Sequence, residues 1–425
     1  MTRSSLRVAL VTRASATLHG PGGLERHVDD LARHLLKREV AVTLITRPAS
    51  RAGVGTETDW LRDERLTLRT IRYRTFPFAG RRGTTVLERN TAYLCCGFRA
   101  GRQAAQLLND GQVDLVHGHG ASVLGAVFPA PASSVPLVFT PHGLEEFGGT
   151  DPRRARLKRV AYRPLQAAVR RCARYASRTL ATDRALVSST ITHLRVPESS
   201  VCVVPNAVDV RRCDALAGPA EGAETRAAQA IPSDDAVFLS VGRLERNKGF
   251  DVLASALAQL RRSPEVSRWR WVIVGDGHYR STLERLVRKL GLHDRTLFIG
   301  STTDRELHAW YEAATLFVHP TLYEGSSIAT LEAMAHRRPV VATRAGGLPD
   351  KVIPGVTGWL VSPGDSVGLA AVLAEALGLQ RRLAGMGAAG RALVERCFSW
   401  PTVTDRLLAL YDDVLAEHVS WRASR

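Results

Sequence analysis

The feature that most constrains the fold is an alternation of short apolar runs with an amphipathic helical pattern. Residues 6–12, LRVALVT, form the first apolar run, and a glycine-rich segment at 19–23 follows it. Apolar residues then recur with the 3.6-residue period of a helix, at Leu24, Val28, Leu31 and Leu35. A second apolar run lies at 40–46, VAVTLIT. This order predicts a βαβ unit with parallel strands and a right-handed crossover.

The same alternation continues along the chain. Nine further strands are predicted, at 114–119, 136–140, 179–182, 201–204, 237–241, 271–274, 296–299, 316–319 and 339–342. The arginine-rich segment 51–90 shows no clear period, and the alanine- and glycine-rich stretch 209–232 resembles a domain boundary. With 425 residues, the chain is too long for one ordinary core.

We therefore predict an α/β protein with two doubly wound, Rossmann-like domains. They are expected to face each other across an interdomain cleft, with ligands at the C-terminal ends of the strands. The predicted organisation is an N-terminal domain at 1–208, a linker at 209–232, a C-terminal domain at 233–396 and a helix at 397–425 that crosses back to the N-terminal domain.

The basic composition admits three classes of partner: nucleic acid, an anionic membrane surface or an acidic substrate. The chain has 58 Lys and Arg residues against 41 Asp and Glu, a net charge of +17. Arginine predominates along the whole chain, so genomic codon bias is an alternative explanation. The sequence has no zinc-finger spacing, no RNP-type aromatic motif and no basic tail, and no nucleic-acid partner is predicted.

Cysteine usage and hydropathy predict a cytoplasmic location. The six cysteines form no CxxC pair and show no disulfide-like density, which is typical of a reducing compartment. No apolar run approaches the roughly 20 residues that cross a bilayer. The N-terminal apolar run is short and is interpreted as a first strand and not as a signal peptide.

Two loops between a strand and a helix are candidate anion sites. Gly20-Pro-Gly22-Gly23 precedes the first helix, where exposed amides favour an anion, but the same glycines also suit a plain tight turn. The loop Gly242–Gly249, GRLERNKG, places Arg243 and Lys248 beside a helix start. Two cations in this position suit a pyrophosphate, and a solvated basic loop is the alternative.

Metal ligands are not apparent in the sequence. No Asp-x-Asp motif follows a strand, and the 13 histidines show no zinc-like spacing. His117 and His119 alternate along one strand and are interpreted as packing or surface residues. We predict neither a metal nor a cofactor.

Glu332 presents a problem for any purely structural interpretation. A helix that starts near Ser327 puts Ile328, Leu331 and Ala335 on one apolar face, and Glu332 shares that face. A buried, unpaired carboxylate costs several kcal/mol. Either Glu332 has a partner or the helical interpretation of this segment is wrong.

Taken together, these motifs resemble the retaining glycosyltransferases of family 4, the group 1 transferases with the two-domain GT-B fold, over nearly the whole chain. Six segments are similar to the family's motifs in the family's order: Gly22–Glu25, Thr140–Gly143, Pro205–Asp209, Val241–Gly249, the pair Glu324 and Glu332 with seven residues between them, and Pro339–Asp350. Each motif alone is weakly specific, whereas the occurrence of all six in the family's order is highly specific.

The resemblance implies roles for particular residues. It implies that Glu332 binds the ribose hydroxyls of the donor. It also implies that Arg243 and Lys248 contact the diphosphate, and that Glu324 and His142 contact the donor sugar. Amides at the helix start would also support the donor, and the implied donor-binding set is completed by Gly22, Gly23, Gly325, Ser326, Ser327 and Ile328.

Four departures from the family pattern affect the donor-sugar pocket. Ser326 and Ser327 replace the usual Phe-Gly after the first glutamate, and Ala207, Arg338 and Asp350 occupy positions where Gly, Gly and Glu are common. None of them removes a charged contact, but they leave the identity of the sugar open.

The resulting hypothesis is a metal-independent hexosyltransferase that acts on a nucleotide diphosphate sugar with retention of anomeric configuration. Its acceptor would be a glycan, a lipid-linked molecule or a small molecule. A nucleotide-sugar epimerase on the same scaffold is the alternative, and a nucleic-acid binder explains the charge but not Glu332.

The basic segment 153–178 contains ten Lys and Arg residues and no acidic residue. Apolar residues recur in it at helical spacing, at Leu157, Ala161, Leu165, Ala168, Cys172 and Tyr175. Either this helix docks peripherally on the anionic inner membrane face, or its stripe packs on the N-terminal sheet with the arginines in water.

Overall fold

The computed structural model describes residues 6–20, 22–49, 58–73, 85–128, 135–142, 144–147, 160–262 and 268–423. The chain divides into two compact units. The first unit comprises Met1–Asn206 together with Trp400–Arg425, and the second comprises Ala207–Ser399.

Within its described residues, the first unit contains a seven-stranded parallel sheet with the order β3-β2-β1-β4-β5-β6-β7. The strands are β1 (Arg7–Val11), β2 (Ala41–Thr46), β3 (Leu66–Thr70), β4 (Leu115–His119), β5 (Leu137–Thr140), β6 (Arg178–Ala181) and β7 (Val201–Val203). The chain reverses its direction across the sheet between β1 and β4, which is the place where doubly wound folds bind ligands.

The second unit contains a six-stranded parallel sheet, counted over its described residues, with the order β10-β9-β8-β11-β12-β13. Its strands are β8 (Ala236–Val241), β9 (Trp269–Val274), β10 (Thr296–Gly300), β11 (Leu316–His319), β12 (Val340–Thr343) and β13 (Gly358–Val361). The two sheets confirm the predicted pair of doubly wound α/β domains.

Helices accompany both sheets. Those of the first unit are α1 (Ala16–His19), α2 (Gly23–Lys37), α3 (Thr85–Asn90), α4 (Ala92–Asn109), α5 (Arg163–Tyr175) and α6 (Val187–Leu194). Those of the second are α7 (Val210–Leu216), α8 (Pro219–Ala228), α9 (Phe250–Leu260), α10 (Arg280–Lys289), α11 (Asp304–Ala313), α12 (Ile328–Ala335), α13 (Ser366–Gly378) and α14 (Gln380–Leu393). The last helix, α15 (Trp400–Ala423), belongs to the first unit and packs on α2.

Two strands were missed by the sequence pattern. β3 lies in the segment that showed no period, and it is an edge strand whose side chains are mostly exposed, so no apolar alternation marks it. β13 is only four residues long, GWLV, and pairs with β12 at an edge of the six-stranded sheet. Exposure explains the weak signal of β3, whereas β13 is mostly buried and was missed because a four-residue run that begins with glycine is too short to show a period.

The predicted linker at 209–232 is folded, with α7 and α8 inside the second unit. Its alanines and glycines allow close helix packing: α8 packs on α11, and a Cβ at Gly222 would meet the Glu312 backbone at 2.7 Å. A small-residue composition therefore indicated helix contact here and not a flexible connection.

The basic helix α5 directs its apolar stripe into the core of the first unit. Leu165, Ala168, Val169, Cys172 and Ala173 are buried there, while Arg163 and Arg174 are exposed. The stripe is therefore used for packing, as in the second interpretation of this segment. The preceding arginines, at 153, 154, 156 and 159, lie outside the described residues. Over the part of the chain that is described, no helix has the length and apolarity needed to cross a membrane.

Candidate active site

The start of α12 forms the centre of the candidate site in the second unit. Ser327 caps this helix, because its hydroxyl accepts a hydrogen bond from the Thr330 amide at 3.2 Å. The loop before the cap is fixed from outside, since the Gly347 amide donates to the Gly325 carbonyl at 2.9 Å. Gly346 has a φ of 52°, and a Cβ there would overlap the Glu324 carbonyl. This geometry orients the amides of the first helical turn toward the loop side.

Glu324 lies immediately before this loop and is held by three donors. Lys248 Nζ lies 2.9 Å and His319 Nε2 lies 2.8 Å from its Oε2, and the Gly325 amide donates to its Oε1 at 3.1 Å. Burial would raise the pKa of Glu324, but the Lys248 charge and the His319 hydrogen bond outweigh burial and hold that pKa well below its usual range. Glu324 is therefore a carboxylate at neutral pH.

Lys248 is positioned by the turn that precedes α9. Gly249 follows it with a φ of 67°, and a Cβ at Gly249 would overlap the Pro320 carbonyl. The Leu322 amide also donates to the Asn247 carbonyl at 2.8 Å. The turn is thus attached to the segment that leads from β11 to Glu324, which explains why a cation from one loop meets a carboxylate from another.

Arg243, the other predicted diphosphate contact, is less constrained. Its side chain is 73% exposed, and its guanidinium pairs with Glu245 at 3.1 Å. The structure therefore joins Lys248 with Glu324 directly but leaves Arg243 on the rim of the same loop. A long exposed arginine can move toward an anion at little cost because its present ion pair is weak.

Glu332 is buried in α12, with 8% of its surface exposed. The Tyr311 hydroxyl on α11 donates a hydrogen bond to its Oε2 at 2.9 Å. The carboxylate on this apolar face therefore has a polar partner from another helix. Sequence analysis did not identify Tyr311, because no pattern in the sequence links it to Glu332, which lies 21 positions further along the chain.

Lys351 is a second residue that sequence reasoning missed. This lysine is fully buried, and its Nζ donates to Ser326 Oγ at 3.1 Å and to the Gly347 carbonyl at 3.3 Å. The ammonium group thus lies directly behind the loop that begins α12. Lysine is scarce in this chain and is rarely buried without a reason, so its position immediately after the Pro339–Asp350 motif was an available signal.

The first unit presents its glycine-rich loop at the start of α2. Gly22 is the N-cap residue of this helix and is partly buried, and Gly23 is exposed. The described part of the loop therefore places both predicted glycines at a helix N-terminus.

A cluster of histidines lies close to the predicted residue His142 in the first unit. His142 Nε2 and His119 Nδ1 are 2.7 Å apart, and the His27 ring contacts both rings edge-on. His117 stacks on His119 and hydrogen-bonds Tyr411 and Thr140. His142 adopts a φ of 61°, a strained value for a non-glycine residue. The histidines interpreted as packing residues are thus continuous with the predicted donor-sugar contact.

Burial keeps these rings neutral. It lowers the pKa of His27 to about 4, and burial together with the neighbouring histidines lowers the pKa of His142 well below its usual range. His142 can therefore form hydrogen bonds as a neutral imidazole at physiological pH, but it is a poor general acid.

The chemistry available in the second unit is anion binding beside a buried carboxylate. Lys248 supplies a cation, the first turn of α12 supplies amides, and Glu324 supplies acceptors for hydroxyl groups. Such a combination suits a ligand that carries phosphate and several hydroxyls.

Two family models match the chain. The model for glycosyl transferases group 1 matches residues 222–393, and that for glycosyltransferase family 4 matches residues 21–212. A D-inositol 3-phosphate glycosyltransferase of Acidothermus cellulolyticus is 30% identical over 440 residues, with 97% of this chain and 91% of that protein covered. An MMP alpha-(1->4)-mannosyltransferase of Mycolicibacterium hassiacum is 33% identical over 248 residues, which cover 58% of this chain and 56% of that protein.

Solved structures share the fold. A sucrose-phosphate synthase of Thermosynechococcus elongatus superimposes with a TM-score of 0.76 and 22% identity, covering 97% of this chain and all of that chain. The Anabaena protein HepE in complex with UDP-glucose gives a TM-score of 0.70 and 21% identity, covering 98% of this chain and 99% of that one. The two parallel sheets, the two family models and the relative that aligns with 97% of the chain lead to one conclusion: the chain is a glycosyltransferase with the GT-B fold and belongs to family 4, the group 1 glycosyltransferases.

Proposed function

We propose that this enzyme transfers a hexose from a nucleotide diphosphate sugar to an acceptor with retention of anomeric configuration. The observation that carries the proposal is the contact between Lys248 and Glu324 at the start of α12. Lys248 and the helix amides suit a diphosphate, and Glu324 suits the hydroxyls of the sugar. Glu332, held by Tyr311, is proposed to bind the ribose hydroxyls.

The proposed role of Lys248 is to stabilise the leaving diphosphate. Negative charge grows on that group as the bond to the sugar breaks, so a fixed ammonium favours the transition state over the ground state. Arg243 is proposed to join it from the rim of the loop. Because the sequence offers no obvious enzymatic nucleophile, we propose attack by the acceptor on the same face, assisted by the leaving diphosphate. His142 is proposed to contact the donor sugar as a neutral imidazole.

The relatives support the substrate class. HepE has been solved with UDP-glucose, which is a nucleotide diphosphate sugar, and the relative from Acidothermus cellulolyticus is named a D-inositol 3-phosphate glycosyltransferase. We propose that the donor of this enzyme is likewise a nucleotide diphosphate sugar. The acceptor class remains a glycan, a lipid-linked molecule or a small molecule, so D-inositol 3-phosphate is one member of the panel to be tested.

A thermal-shift screen against nucleotide diphosphate sugars tests the donor, because a ligand that binds only the folded state raises the melting temperature. We expect one donor to raise it in the wild type and to have little effect in Glu332→Ala. The selected donor is then incubated with acceptors, and the anomeric configuration of the product is read by NMR. An inverted product, or release of a new epimer without any acceptor, would overturn the proposal.

Chelation tests the proposed metal independence. We expect transfer to continue in excess EDTA, because the proposed charge stabilisation comes from Lys248 and Arg243. Loss of activity that Mg²⁺ or Mn²⁺ restores would show instead that a metal ion neutralises the diphosphate.

We also propose reversible docking on anionic membranes through the exposed arginines of α5. Arg163 and Arg174 are exposed while the apolar stripe is buried, so the attraction is electrostatic and does not involve insertion. Each cation near an anionic bilayer contributes about 1 kcal/mol.

The protein should co-sediment with anionic liposomes at low salt and dissociate at high salt. Arg163→Gln with Arg174→Gln should weaken this more than Arg285→Gln with Arg288→Gln on α10. Equal recovery with neutral liposomes would contradict the proposal.

A further inference from the structure

Three elements of the second unit bring two histidines and a cysteine together in its interior. Cys213 comes from α7, His308 from α11 and His336 from the residue that follows α12. All three are buried, and their potential ligand atoms lie within 4.8 Å of one another. The residues are far apart in the sequence, and their spacing follows no metal-binding motif.

Hydrogen bonds fix the orientation of the His336 ring. Its Nδ1 lies 2.6 Å from Glu312 Oε1, and the other oxygen of Glu312 is held by the Arg338 guanidinium at 3.0 Å. A carboxylate only accepts, so His336 Nδ1 carries the proton. In the neutral ring, Nε2 of His336 then presents its lone pair, and this atom lies 2.7 Å from His308 Nδ1.

This arrangement is the one in which metal-binding histidines are usually found. A ligating imidazole commonly donates its other N–H to a carboxylate, which sets the tautomer and makes the ligand more basic. Glu312 has this relation to His336 without being part of the candidate active site. A thiol and two imidazoles together are the donor set that favours Zn²⁺ and related ions.

We propose that Cys213, His308 and His336 bind a divalent transition-metal ion of the zinc class. Binding would exchange the Cys213 thiol proton, released to solvent, for a metal–sulfur bond. The His308 proton would move from Nδ1 to the other ring nitrogen, so that Nδ1 can ligate. The fourth position of a tetrahedral ion would remain for water.

The electrostatic surroundings favour a cation at this place. The Glu332 carboxylate is close enough to act on both His308 and Cys213, and it would offset part of the metal charge. The ion would join α7, α11 and the end of α12 in a structural role.

The His27–His119–His142 cluster of the first unit is the competing site for any added metal, because its ligand atoms also lie within 4.8 Å of one another. It contains three imidazoles and no sulfur. A spectroscopic signal from a metal–thiolate bond therefore distinguishes the two clusters.

The test uses the full-length protein, stripped with a chelator and titrated with Co²⁺ and then Zn²⁺. We expect a thiolate-to-cobalt charge-transfer band that Zn²⁺ abolishes, and one sulfur-ligated ion per chain. Cys213→Ser should lose the band, whereas Cys172→Ser, at an equally buried cysteine outside both clusters, should keep it. His336→Gln provides a second variant that retains the thiol, and its Co²⁺ affinity should fall at least tenfold.

Folding of each variant is checked by circular dichroism, and the wild-type spectrum is informative by itself if a variant does not fold. The proposal is overturned if wild-type protein shows no charge-transfer band, if Cys213→Ser retains it, or if Cys172→Ser loses it equally. Cobalt bound without the band indicates the three-histidine cluster and would also reject the proposed site.

Discussion

The ammonium of Lys248 lies 2.9 Å from Glu324 Oε2, so the residue proposed for the diphosphate holds the carboxylate proposed for the sugar. His319, at the end of β11, is the third member of this arrangement, and its Nε2 lies 2.8 Å from the same oxygen. The two roles are therefore coupled: a change in Lys248 alters both the charge near the phosphate and the ionisation of Glu324. Substitutions at Lys248 and Glu324 should accordingly combine non-additively.

Lys248→Ala should lower turnover by about 10²–10³, the usual loss for one preorganised transition-state donor. It should also move the acid limb of the pH–rate profile to higher pH. Glu324 has a depressed pKa while Lys248 is present, and without that charge the carboxylate becomes protonated at a higher pH. Arg246→Ala is the matched control, because it removes one positive charge from an exposed position in the same turn. Turnover equal to wild type in Lys248→Ala would contradict the diphosphate assignment.

Tyr311→Phe should weaken nucleotide binding while leaving turnover nearly unchanged. The substitution removes one hydrogen bond to Glu332, which corresponds to about 1 kcal/mol or roughly fivefold in Kd. Glu332→Gln should cost more. Calorimetric titration with the nucleoside diphosphate measures both, with Tyr279→Phe as a control on the same unit. If Tyr311→Phe instead reduces kcat at unchanged KM, Tyr311 acts on the reaction and does not merely position Glu332.

Lys351→Met should separate stability from donor affinity. Methionine has a similar length and no charge to bury, which offsets the loss of the hydrogen bonds to Ser326 and the Gly347 carbonyl, so the melting temperature should change little. The ammonium behind Ser326 should nevertheless favour a nearby diphosphate, and KM for the donor should rise about tenfold, equivalent to ~1.4 kcal/mol. Lys289→Met, at an exposed lysine of α10, should change neither quantity. A large loss of stability with unchanged KM would show that Lys351 serves only the packing of the loop.

Acid should destabilise the first unit partly through His27. Its pKa is about 4 in the folded protein against 6.5 for the free side chain, because burial disfavours the charged ring among His119, His142 and Trp400. The unfolded chain therefore takes up the proton first, and stability falls as pH drops from 6.5 toward 4. The difference between these pKa values corresponds to ~3 kcal/mol at most.

Urea unfolding at about pH 7.5 and about pH 5 measures this effect. His27→Met should show a smaller loss of stability between the two conditions than wild type. His278→Met, at an exposed histidine, should lose as much as wild type. Equal pH dependence in wild type and His27→Met would show that His27 does not titrate as its burial requires.

The alternation of strands and helices, the helix that begins at Ser327 and the order of the motifs could all be predicted from sequence, because apolar periodicity and helix caps are local properties. The family's fold and enzyme class followed from those motifs. The strands β3 and β13 and the helices within 209–232 could not be predicted. β3 buries little surface, β13 is too short to show a period, and small residues mark close helix packing as readily as a linker.

Contacts between distant residues were decided only by the tertiary structure. Lys248 meets Glu324 and Lys351 reaches Ser326 because parallel strands deliver their following loops to one edge of a sheet. Tyr311 meets Glu332 through a hydrogen bond between two helices, α11 and α12. The cluster of Cys213, His308 and His336 is a further case, since it requires three helices to pack before its ligand atoms converge. The sequence by itself determined which segments are strands and helices and which residue types carry charge; the packing of those segments determined which charged groups act together, because partners far apart in the chain leave no periodic trace in it.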